Sequence, residues 1–284
     1  MKIQYWGTAA AEGVPALFCD CDVCRSAKKF GGRRVRTRSQ LLINGELLID
    51  FGPDTFTNAV KYGFDTASLT DVLITHSHAD HFCPIDIAYR RKGFASVLKH
   101  DTLTVHGTEH LLEEFRSRCE AGGEENIGDT VAFNALRPFE PMRIMSYTVT
   151  ALPARHGTNE PFNYIIEDAE GKTFLLLNDT GRPLPQTYDY LKDNQIRIDC
   201  VSFDCTFGNV NTLEKYGKIV GHMGLPDNYA VFGFLSLCGC IHADTKCIVT
   251  HFSHNGVDVD YEDMCREAQA YGFTVSYDGM EIEL

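Results

Sequence analysis

Polar and apolar residues alternate over positions 2–7, and two short apolar runs, 40–43 and 47–50, flank Asn44-Gly45. A period of two places successive side chains on opposite faces of a strand, and Asn-Gly favours a tight reversal. The pattern therefore predicts a first strand followed by a hairpin. Further β-type runs fall at 72–74, 102–106, 130–135, 142–152, 162–167, 172–177, 198–204, 246–250, 273–276 and 280–283. Segments with helical spacing fall between them: 22–30, 54–62 closed by Gly63, 84–92, 108–121 ended by Gly122-Gly123, 184–193, 226–238 and 260–271. No repeat of 20–50 residues and no low-complexity linker interrupts the chain. Two halves that each mix strands and helices predict an α/β fold of two mixed β-sheets packed together with helices outside, one domain over 1–284.

The chemistry concentrates where the apolar run Val72-Leu73-Ile74 ends. His76, His78, Asp80 and His81 follow within nine residues of Leu73. In an extended segment positions i and i+2 point the same way, so His76 and His78 can share one metal. Asp80 and His81 come after the chain turns and can serve a second ion. Imidazole and carboxylate suit Zn, Mn or Fe. Two ions a few ångströms apart would hold a hydroxide between them and direct it at an ester or phosphodiester. The alternative is a histidine-rich surface loop, but three other strand ends also carry potential ligands: His156, Asp179 and His251. Strand ends at one sheet edge converge in space.

A second loaded stretch is Cys19-x-Cys21-x-x-Cys24, three thiols within six residues. With a fourth donor such a cluster holds a structural zinc, and His254, three residues after His251, is the best candidate. Ordinary reduced cysteines are the competing reading.

Composition changes the picture in two ways. The 284 residues carry a formal charge of −13, which argues against general nucleic-acid binding. Eleven cysteines in a chain without an evident export signal or an 18-residue apolar span argue for a reducing cytoplasm and against a membrane.

His-x-His-x-Asp-His after a hydrophobic strand resembles the signature of the metallo-β-lactamase superfamily. That resemblance implies an αββα sandwich with the site at one edge. It implies that His76, His78 and His156 hold one ion, that Asp80, His81 and His251 hold the other, and that Asp179 bridges both. Asp50 would orient a ligand imidazole through its other ring nitrogen. Gly13-Val14-Pro15 before the cysteine cluster, with His-x-x-His late in the chain, is similar to the PhnP branch. Membership there implies a phosphodiesterase of phosphonate breakdown opening 5-phosphoribosyl 1,2-cyclic phosphate. The ligand types lead to the expectation of two Mn or Zn (or Fe) ions beside one structural Zn, and a homodimer is the expected assembly. His222, in a glycine-flanked turn before Pro226-Asp227, would donate a proton to the phosphate or leaving group, with Asp204 as its hydrogen-bond partner. His222, Asp80 and Asp179 are thus the expected catalytic groups. The run Arg33–Arg38 is read as a solvated face or loop, the sharper alternative being that one of its arginines reaches the 5-phosphate of a sugar phosphate. Residues 84–150 carry none of these motifs, and the loop 119–129 is expected to shape the pocket. Other readings are a tRNA 3′-processing nuclease, a PqqB-like protein, or a zinc-stabilised binding module with a silent site.

Overall fold

The structure, a computed structural model, describes residues 1–91, 93–121, 130–255 and 260–284. In chain order the strands and helices are β1 (Lys2–Gly7), α1 (Asp22–Phe30), β2 (Gln40–Ile43), β3 (Leu47–Ile49), α2 (Thr55–Tyr62), β4 (Asp71–Leu73), α3 (Pro84–Ala88), β5 (Leu103–Gly107), α4 (Leu111–Ala121), β6 (Val131–Ala135), β7 (Pro141–Ile144) and β8 (Tyr147–Pro153). They continue as β9 (Phe162–Glu167), β10 (Thr173–Leu177), α5 (Pro185–Asp193), β11 (Cys200–Asp204), α6 (Thr212–Tyr216), α7 (Leu225–Leu237), β12 (Lys246–Thr250), α8 (Tyr261–Gln269), β13 (Thr274–Val275) and β14 (Met280–Glu283).

The strands form two sheets, β14-β1-β2-β3-β4-β5-β6 and β13-β12-β11-β10-β9-β8-β7. Period two sorts their side chains into layers. In β10, Phe174 and Leu176 enter the core between the sheets, while Leu175 and Leu177 face α5, α7 and α8. In β2, Leu41 and Ile43 enter the same inter-sheet core, and Leu42 packs with Trp6, Ala59 and Ile87 on the side of α2 and α3. The result is the expected sandwich of two mixed sheets flanked by helices. No helix among the described residues is long and apolar enough to cross a membrane.

Strand direction decides where the chemistry collects. β10, β11 and β12 run parallel, and β8 runs with them because β8–β9 and β9–β10 are both antiparallel. β3 and β4 are parallel in the other sheet. All of these strands therefore release their C-terminal ends in a common direction within each sheet.

The local differences from expectation have physical causes. The run 142–152 is two strands, because Met145 turns the chain at φ 51° where no glycine or proline announces it. The helix expected at 84–92 is the short α3, and residue 92 lies outside the described residues. Helix 226–238 ends at Leu237, so Cys238, Gly239 (φ 76°) and Cys240 follow the helix instead of lying within it. The α6 helix was not expected, although Asn211 caps it and Gly217 closes it. Of the loop 119–129, residues 122–129 lie outside the described residues.

Candidate metal centre

Six strand ends build the site. β3 leads to Asp50, β4 to His76–His81, β8 to His156, β10 to Asp179, β11 to Asp204 and β12 to His251. Three of these residues bend out of their strands with left-handed backbone, Asp50 at φ 66°, Asp179 at φ 50° and His251 at φ 62°. Such a conformation costs a non-glycine residue about 1–2 kcal/mol. It recurs here where a side chain must be turned into the sheet edge.

The donor atoms of His76, His78, His156 and Asp179 lie within 4.8 Å of one another, as do those of Asp80, His81, Asp179 and His251. Asp179 belongs to both groups. In the first, His78 Nδ1 lies 3.0 Å from His76 Nε2 and 3.1 Å from His156 Nε2. One ring nitrogen can make one in-plane hydrogen bond, so protons cannot satisfy both contacts. Nitrogens about 2.0–2.1 Å from a zinc, at the corners of a tetrahedron, stand roughly 3.3 Å apart, close to this spacing. In the second group, Asp179 Oδ2 is 3.1 Å from His81 Nε2 and 3.6 Å from His251 Nε2, and Asp80 Oδ2 is 3.1 Å from His81 Nε2. His81 Nε2, His251 Nε2 and Asp179 Oδ1 are buried without a hydrogen-bond partner among the described residues. Buried orphans of this kind aimed at one point fit a cation.

The outer ring nitrogens are held from behind. Asp50 accepts from His81 Nδ1 at 2.6 Å and from the Thr75 backbone N–H at 2.8 Å. Thr206 Oγ1 is 2.8 Å from His251 Nδ1 and 3.1 Å from His222 Nδ1. Asp204 Oδ2 is 3.2 Å from both of those nitrogens. Such partners fix the tautomer and aim of a ligand imidazole.

Electrostatics follow from burial and the carboxylates. Burial pushes the His76 imidazole down to about 4, leaving it neutral and able to ligate. Burial opposes ionisation of Asp179, yet His251, His76 and His81 hold its carboxyl well below the usual range. Burial lowers the affinity of His222 for a proton, but Asp204 and then Asp179 and Asp80 outweigh it and bring the group up to about 9.

His222 stands on the wall of a cavity of about 310 Å³, with Asp80, Asp179, Glu12 and Phe207. The cysteine cluster lies beside it. Cys19 Sγ and Cys21 Sγ are 3.4 and 3.6 Å from His254 Nδ1, and Cys24 Sγ completes a group with donor atoms within 4.8 Å. His254 Nε2 faces the Glu12 carboxylate at 3.6 Å. Backbone hydrogen bonds between Ala10 and Phe252 and between Phe252 and Thr8 join the loop after β1 to the His251–His254 segment.

Residues 46–252 match the beta-lactamase superfamily domain. The chain belongs to this superfamily. A PhnP-family diphosphatase whose crystal structure is known shares the superfamily fold over 100% of this chain and 97% of its own, at 20% identity and a TM-score of 0.73. Coenzyme PQQ synthesis protein B of Methylobacterium radiotolerans is 22% identical over the full length of both chains. The octanoyltransferase of Porphyromonas gingivalis is 26% identical over 91% of this chain, which spans only about half (50%) of that protein.

Every expected ligand of the superfamily pattern reaches the site, and Asp204 does meet His222. The arginine run does not reach it. Arg33 lies over the Tyr277 ring at 4.0 Å, Arg34 pairs with Asp260 and Glu262, buried Arg36 donates to Thr8 and to the Ser276 carbonyl, and Arg38 pairs with Asp54. Arg33, Arg34 and Arg36 thereby fasten the N-terminal third to the C-terminal elements, and none of the four arginines lines the cavity. Sequence reasoning missed Thr206, two residues after Asp204, and Glu12. The position of Thr206 just past a strand end was the available signal. His106, whose partner was not legible, is held by Asp71 at 2.7 Å.

Proposed function

We propose that this superfamily member is a metal-dependent hydrolase of small phosphodiesters, with two divalent ions, Zn, Mn or Fe, held by His76, His78, His156, Asp80, His81, His251 and the shared Asp179. The single observation that supports this most is the pair of four-donor groups joined through one buried carboxylate at the floor of an open cavity. When bound, such ions supply an acidified water and take up charge developing on the phosphoryl oxygens. The chain's own residues do the rest. Asp50, Thr206 and Asp204 keep the imidazoles aimed. His222, on the cavity wall with Nδ1 held by Asp204 and Thr206, has Nε2 left to protonate the departing oxygen. A net charge of −13 disfavours a polynucleotide as the substrate.

The test is elemental analysis of the purified protein beside hydrolysis assays on bis-p-nitrophenyl phosphate, 2′,3′-cyclic nucleotides and ribosyl cyclic phosphates. Metal at two or more equivalents with diester turnover is expected, and turnover of an ester or thioester alone sinks the reading. That second chemistry, acyl ester or thioester hydrolysis, has one observation in its favour, the likeness to an octanoyltransferase over half that protein's length. An octanoyl thioester therefore belongs in the panel.

His222→Ala is expected to slow an alkyl diester by ~10²-fold or more, in the range of a lost general acid. A p-nitrophenolate leaving group, which needs no proton, should suffer far less, with metal content unchanged. Equal losses on both substrates would remove His222 from the proton-transfer role.

Cys19, Cys21, Cys24 and His254 are proposed to hold a structural zinc that ties the loop after β1 to the floor of the site. Cys21→Ser is expected to release one equivalent of zinc. If that ion supplies even about 2 kcal/mol of its folding energy here, Tm falls by roughly 4–8 °C. Calorimetric melting with zinc counting checks this, and an unchanged Tm with zinc retained rules it out.

A further inference from the structure

We infer that the substrate of this cavity carries no second anionic group: its non-reacting part is a neutral or cationic, hydroxylated or amino-substituted moiety. This narrows the phosphodiester reading and rests on it. Glu12 stands on the cavity wall in the loop of small residues after β1. Its Oε1 accepts hydrogen bonds from Ser253 Oγ and from Asn255 Nδ2, the latter at 2.9 Å, and lies 3.6 Å from His254 Nε2. Those contacts leave Oε2 without a partner among the described residues, on a side chain that keeps 27% of its exposure. A carboxylate oxygen so placed accepts hydrogen bonds from hydroxyl or ammonium groups and repels a phosphate.

Apart from His222, which Asp204 and Asp179 already hold, the cavity wall offers no cation to offset it. Among the described residues no lysine or arginine lines the cavity. Arg38, behind the loop, is spent on both oxygens of Asp54 and on the Ala11 carbonyl. Arg155 donates Nε to the Arg182 carbonyl, and Arg182 pairs with buried Asp227. Lys218 is exposed four residues before His222 but does not line the cavity. A diester brings one negative charge, which the metal-ligand groups can receive. A further phosphate brings about −1.5 to −2 more, and the wall offers it Glu12.

The experiment compares ribosyl 1,2-cyclic phosphate with and without a 5-phosphate on the metal-loaded protein, by steady-state kinetics and by calorimetric competition of ribose against ribose 5-phosphate for the site. The expected result is a kcat/KM at least ~10-fold higher for the substrate lacking the 5-phosphate, from like-charge repulsion, with ribose 5-phosphate the weaker competitor. Glu12→Gln, which preserves shape and the Ser253 contact, should narrow that ratio, chiefly through KM, and Lys218→Ala should leave it alone. Preference for the 5-phosphate, an unchanged ratio in Glu12→Gln, or a ratio that moves with Lys218→Ala overturns the inference while leaving phosphodiester hydrolysis standing. No turnover of either substrate or of bis-p-nitrophenyl phosphate overturns the underlying reading, and this one with it.

Discussion

Asp179→Asn is expected to strip the centre of metal and to lower diester turnover by ~10³-fold, the upper end of the range for losing one preorganised electrostatic group at a reacting centre. The carboxylate is 4% exposed. Its Oδ2 lies 3.2 Å from His76, 3.1 Å from His81 and 3.6 Å from His251, and its Oδ1 is 3.3 Å from His156 and 3.2 Å from His222. Among the described residues it is the one side chain whose donor atoms belong to both groups. Asparagine isolates the charge, because it keeps the volume and tolerates the left-handed backbone at φ 50°. Alanine would add strain to the loss. Metal counting and hydrolysis of bis-p-nitrophenyl phosphate check the expectation. A variant with its full metal complement and turnover within about threefold of the parent shows that no transition-state contact was lost at Asp179, and the shared-carboxylate arrangement fails.

The ligand residues were legible because each is a histidine or aspartate just beyond an apolar run, and parallel strands bring such ends together. His76, His78 and His81 are read in this way, and Asp179 and His251 follow from the same rule. What period and residue type cannot show is contact across the chain. Arg34 looks like one member of a basic patch until Asp260, 226 residues later, is seen to receive it. Glu12 looks like a loop residue until Ser253 and Asn255 fold over it. The β7–β8 reversal at Met145 escaped because its turn lacks the residues that usually mark one. The close approaches of backbone to backbone at the site were equally hidden, since a glycine in a loop looks the same whether it faces water or a carbonyl.

Those approaches carry the second large effect. A Cβ at Gly52 would stand 1.9 Å from the Asp80 carbonyl oxygen, and one at Gly181 would stand 1.8 Å from that of Val220. Neither obstacle is a side chain that can swing away. The Gly52 segment is bound to the metal-ligand loop by Phe51 N–H to the His81 carbonyl at 2.8 Å and Cys83 N–H to the Phe51 carbonyl at 2.7 Å. A methyl there must push Asp80 and His81 away from Asp50, which holds His81 from behind. Gly181 donates to the Arg155 carbonyl at 3.0 Å, so a methyl there separates the Asp179 and His156 loops from the turn bearing His222. Gly52→Ala and Gly181→Ala are each expected to cost roughly 3 kcal/mol or more, beyond ordinary overpacking because backbone has to move. Gly52→Ala should also lose metal from the Asp80 and His81 side first. Gly233→Ala is the control: it lies in α7 with open space at its Cβ, and the change should stabilise by about 0.5–1 kcal/mol through helix propensity. Urea unfolding with metal counting separates these outcomes. If Gly52→Ala unfolds at the same urea concentration as the control and keeps its ions, the two loops do not press together, and the aim of Asp80 and His81 must come from elsewhere.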